Sequence, residues 1–126
     1  MSGPQIVRET LDRLEQRAEV VKHAMDGLAG LEHCTPRERR RQWDDVADGL
    51  AAKHWPNPGH WSTADGKAWH LRGVAHHQIK LMLCGCATGP DVTRGIVEAL
   101  VCALSMLVDE IDDLRETQTR YKATNN

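Results

Sequence analysis

Phenylalanine is absent from this chain and tyrosine occurs once. Any core must rest on Leu, Val, Ala, Met and Trp. No stretch reaches the ~18 uninterrupted apolar residues of a membrane span. The most apolar run, residues 96–108, is short and holds Glu98. The N-terminus lacks a charged head followed by an apolar segment, so no secretory signal is expected and cytoplasmic localisation is the expectation. Cys-x-x-Cys, His-x-x-x-His and His-Glu-x-x-His are all missing. So are a nucleophile elbow and a Gly-rich phosphate loop, which removes the usual frames for acyl and phosphoryl transfer. The net charge of -2 gives no global positive field, so neither nucleic acid nor an acidic membrane is an expected partner.

What is present is helical periodicity. At 126 residues one domain, 1–126, is expected. Two heptad ladders stand at its extremities. The first is Val7, Leu11, Leu14, Ala18, Val21, Met25 and Leu28; the second is Val97, Leu100, Leu104, Leu107, Ile111 and Leu114. Steps of four and three keep each set on one stripe. The first ladder predicts a helix from Pro4 to about residue 32, weakened at its end by Gly27 and Gly30. Thr35, Pro36 and Glu38 form a capping box for a second helix with the stripe Trp43, Val46, Ala47, Leu50 and Ala51, ending near His54. Pro56, Pro58 and Gly59 make 55–62 a Pro/Trp-rich loop.

A third helix is expected after Ser62–Asp65, with the stripe Ala68, Leu71, Ala75, Ile79 and Met82. Strand is the rival reading, a β-hairpin around residues 74–84, because Ile79, Leu81 and Leu83 alternate with Gln78, Lys80 and Met82. The fourth helix should run from Pro90 to about Tyr121, leaving 122–126 as a mobile tail. The fold class that follows is all-α, a four-helix bundle with long first and fourth helices and short second and third. The long helices should outreach the short ones. Leu11, Leu14, Leu107, Ile111 and Leu114 would then be wet in a monomer, and a homodimer built on them is the expected cover.

Four cysteines without a secretory signal read as thiols, and a bridge between Cys84 and Cys86, one residue apart, would be strained. His70, His76 and His77 with Cys84 and Cys86 are the residues suited to zinc or to a thiol-redox sensor; no cofactor is expected, with zinc the one possible exception. A third possibility is a small helical-bundle enzyme using metal-binding carboxylates among Asp109, Glu110, Asp112 and Asp113. Glu110-x-x-Asp113 is similar to one half of the magnesium site of the all-α nucleotide pyrophosphohydrolases, whose second half has only Asp45-x-x-Asp48 as a counterpart here. Residues 68–73 resemble the phosphoacceptor segment of histidine phosphotransfer domains, but Trp69 stands where the histidine belongs, so phosphotransfer is not assigned.

The leading expectation is a non-enzymatic helical module that binds an unidentified protein as adaptor, inhibitor or regulator. No catalytic residues are assigned. The expected contact residues are Trp55, His60, Trp61, Trp69 and His70, with Arg37, Arg40 and Arg41 of the adjacent arginine run. Aromatics on a rigid loop lose little entropy on binding and dominate contact hot spots.

Overall fold

The computed structural model describes residues 3–55, 63–87 and 89–125, and among these there is no strand. The helices are α1 (Gly3–Ala29), α2 (Pro36–Gly49), α3 (Thr63–Leu83) and α4 (Pro90–Asn125). Short 3₁₀ turns follow α1, over Gly30–His33, and α2, over Ala52–His54. The chain is therefore the four-helix bundle its periodicity called for, with α1 and α4 long. The 55–62 loop falls, apart from Trp55, outside the described residues.

Each helix has a core face to bury, and α2 has a clear local start. At the head of α2, Glu38 N–H donates to Thr35 Oγ1 at 3.2 Å and Thr35 N–H donates to Glu38 Oε2 at 3.1 Å, with Pro36 in the first turn. Its stripe buries Trp43, Val46, Ala47 and Leu50. From α1 the core takes Leu11, Leu14, Ala18, Val21 and Ala24. α2 lies close against α1: a Cβ on Gly27 would stand 2.8 Å from Val46 Cγ2. Gln42 Nε2 donates to the Gly27 carbonyl at 3.0 Å, satisfying one free carbonyl at the end of α1.

Three expectations are corrected, and the helix expected over the third element holds against its rival. Residues 74–83 belong to α3, so the strand reading fails; Ala68, Arg72, Ala75 and Ile79 meet the core at steps of four and three, a period the alternation of Ile79, Leu81 and Leu83 masks. α4 does not stop near Tyr121 but continues through residues 122–125, which therefore are not a separate tail. Its core face keeps Leu100, Leu107 and Ile111 of the expected ladder, with Leu104 and Leu114 half-buried against it, but begins at Ile96 and adds Ala99 and Ala103, while Val97 faces water. Lastly, the long helices cover each other, so their stripes are not left wet. α4 packs on α1 as well as on α3, Gly3 of α1 abuts Tyr121 of α4, and Arg115 reaches Glu15 at 2.9 Å. Leu11, Leu14, Leu107 and Ile111 are consequently buried within one chain, and Leu114 is half-buried against the same core. The surface they were expected to give a second copy does not exist.

Candidate functional site

The tryptophans expected at a surface lead instead into the molecule. Trp55 is 0% exposed. Its indole N–H donates to Asp65 Oδ1 at 3.1 Å. Asp65 is itself fully buried at the start of α3, where Arg17 Nε lies 3.4 Å from Oδ1 and Arg13 Nε 3.3 Å from Oδ2. The Arg17 guanidinium also stands 5.5 Å from the Trp55 ring centroid. One carboxylate thus joins two cations from α1 to an aromatic from the α2–α3 connection. Trp69 is half-buried; its N–H donates to the Trp55 carbonyl at 3.1 Å, and Arg72 covers its ring at 4.8 Å.

α3 also terminates α2. Arg72 Nη1 donates to the Leu50 carbonyl, and His76 Nδ1 lies 2.9 Å from the Ala47 carbonyl, a contact in which the Nδ1–H tautomer donates. Positive charge at a helix C-terminus opposes its dipole favourably. Burial lowers the Arg72 pKa from its ordinary value. This polar interior holds the bundle's end together and is closed to solvent at Asp65.

The expected contact residues therefore separate. Trp55 is removed from the surface because it fills the core. Trp69 keeps only part of a face and spends its donor internally. His60 and Trp61 lie outside the described residues. His70 is exposed beside an apolar groove of about 620 Å³ lined with Lys67, Leu71, Cys102 and Met106. Arg37, Arg40 and Arg41 are exposed, and among the described residues no ion pair engages them.

The zinc candidates do not gather: among the described residues no three of His, Cys, Asp or Glu stand close enough together to hold a metal. His76 is occupied at the end of α2, while His77, Cys84 and Cys86 are exposed. Asp109, Asp112 and Asp113 likewise face solvent. A separate groove of about 560 Å³ carries Glu19, His23, Asp45, Asp48 and His54. There Asp48 is held below the usual carboxylate range, first by the hydrogen bond and then by the charge of Lys53, 2.9 Å away.

One face was missed by the sequence reading. Val97, Val101 and Val108 of α4 are 38%, 47% and 37% exposed, with half-buried Leu104 between them. Steps of four, three and four place all four on one stripe beside the seam with α1. The polar groove continuing from that seam is lined by Glu15, Lys22, Val108, Asp112 and Arg115. No protein family, no curated protein and no solved structure matches the chain.

Proposed function

We propose that this chain is a non-enzymatic helical binding module that works as a homodimer, with the valine stripe of α4 as its contact surface. The observation that carries the reading is that stripe: four aliphatic side chains in helical register, of which Val97, Val101 and Val108 face water. An apolar stripe that its own bundle leaves uncovered is the feature another helix covers. A second copy suits it by charge. An antiparallel pairing centred between Cys102 and Ala103 opposes Val97 to Val108 and Val101 to Leu104. It also brings Arg94 toward Asp112 of the partner subunit, and Asp91 toward Arg115 of the partner subunit. Charges flanking an apolar seam set orientation and partner in this way.

Each valine is already more than half covered, so its remaining burial contributes about 1 kcal/mol or less. The assembly therefore depends on length: the 36 residues of α4 span ~54 Å at ~1.5 Å per residue. Sedimentation equilibrium over a wide concentration range tests this. The wild type should associate to a dimer, and Val101→Asp should stay monomeric while keeping its helical spectrum. Arg94→Asp and Asp112→Arg should each weaken the dimer, and combining them should restore it. A wild type that stays monomeric at the highest concentrations reached, or a dimer indifferent to Val101→Asp, defeats the proposal.

A further inference from the structure

Cys84, Gly85 and Cys86 follow directly on α3. Gly85 has φ +80, a left-handed backbone that glycine adopts without steric cost. Cys86 N–H donates to the Leu81 carbonyl at 2.9 Å and Gly85 N–H to the Met82 carbonyl at 3.1 Å. These two bonds are those of a Schellman turn, which folds the chain back over the end of its helix. The fold-back brings the two thiols together, with Sγ to Sγ at 2.8 Å, and both residues are exposed. Antiparallel packing of α2 on α3 sets the arginine run at the same end. A groove of about 240 Å³ there is lined by Arg39, Arg40, Trp43, Met82 and Leu83, the last adjoining Cys84.

We propose that Cys84 and Cys86 form a redox-active dithiol that exchanges with anionic organic disulfides, which Arg39 and Arg40 attract. This site is independent of the valine stripe. The Cys84 thiolate attacks one sulfur of the disulfide, forming a mixed disulfide and expelling one thiolate. Cys86 then loses its proton to solvent and attacks Cys84 Sγ, closing the intramolecular bond and expelling the second thiolate. The chain gives up two electrons and two protons; the small disulfide takes both electrons and leaves as two thiols. The arginine groove ends at Leu83, beside Cys84, which puts Cys84 first in the order of attack, and the thiols' acidities agree. The Cys86 thiol, and after it the Cys86 backbone amide, stabilise the Cys84 thiolate and lower its pKa, while bonding to Cys84 and the Cys84 charge raise that of Cys86. Closure is reversible, because two small thiolates attacking in turn reopen the strained, exposed bridge and leave together as the disulfide.

The test uses a Cys34→Ser/Cys102→Ser background and two aromatic reagents, the dianionic dithiobis(nitrobenzoate) and uncharged dithiodipyridine. Both should release two thiols per chain and leave no adduct by intact mass. Adding Cys86→Ser should stop release at one and trap the adduct on Cys84. Arg39→Ala/Arg40→Ala should slow the dianion about ten-fold and leave the uncharged reagent unaffected. Two trapped adducts on the intact pair, or disulfide-linked dimers as the main product, would overturn the dithiol. An arginine variant that slows neither reagent, or both equally, would overturn the anion assignment. Peptide mapping of the unmodified chain reads the same outcomes if the background variant fails to fold.

Discussion

The sealed end of the bundle around Trp55 and the open side of α4 invert the usual reading of residue type. A tryptophan on a proline-rich segment is the kind of side chain that anchors a partner, yet Trp55 is wholly inside, bonded to a buried carboxylate. Valines in an apolar helix are the kind of side chain that fills a core, yet Val97, Val101 and Val108 face water. Chemistry alone does not distinguish anchor from filler. Helix phase decides for the valines, and a buried charge with its partners decides for the tryptophan.

The difference breaks most sharply at Asp65. Replacing it with alanine leaves Arg17 buried without its counter-charge and strips Trp55 of its acceptor. Urea unfolding of Asp65→Ala should show a loss of about 3–5 kcal/mol. Trp55→Ala should cost a similar amount, about 3–5 kcal/mol, through the cavity it leaves. A loss under about 1 kcal/mol in either variant would mean that this end is wet and that Trp55 is available to a partner after all.

Gly27→Ala is the next largest. Helix propensity alone favours alanine by about 1 kcal/mol. Here the new Cβ meets Val46 Cγ2 at 2.8 Å and Gln42 Nε2 at 3.1 Å. Val46 is buried and β-branched, so it yields little. Overpacking of about 1–3 kcal/mol should outweigh the propensity gain and lower the urea midpoint. A raised midpoint would show that α1 and α2 separate easily. Below it comes Thr35→Ala, which removes one half of the capping box and should cost about 1 kcal/mol by the same assay.

Much of this was legible in the chain. The capping box of Thr35 and Glu38, the stripe of α1 and the four-helix order all depend on contacts within a turn or two, and sequence spacing encodes those directly. Where the core face of α4 begins was not legible: Leu100, Leu107 and Ile111 were placed, but residues 96–108 are apolar on most faces, so Ile96 and Val97 look alike until α1 and α3 choose between them. The Asp65 cluster was hidden for a different reason. Its arginines lie 48 or more positions away, and a lone aspartate before a helix reads as a cap. One clue was present. Arg13 and Arg17 are like charges four apart on the face that carries Leu14, an arrangement that costs stability unless an anion sits between them. The dithiol turn was half legible, since Cys84 and Cys86 were singled out but their fold-back depends on Gly85 taking a positive φ.

The smallest expected effect is the one that sharpens the comparison most. Val101→Ser changes a side chain that is 47% exposed and has little to lose within its own subunit. At concentrations low enough to keep the chain monomeric, its unfolding free energy should shift by less than about 0.5 kcal/mol. At high concentration the two proteins should diverge. Association that favours the folded state raises the wild-type unfolding midpoint with concentration, whereas the variant's midpoint should stay level. A variant destabilised by more than about 2 kcal/mol in the monomer would place Val101 in the core. The open side of α4 would then be a second sealed region, and the contrast with Trp55 would disappear.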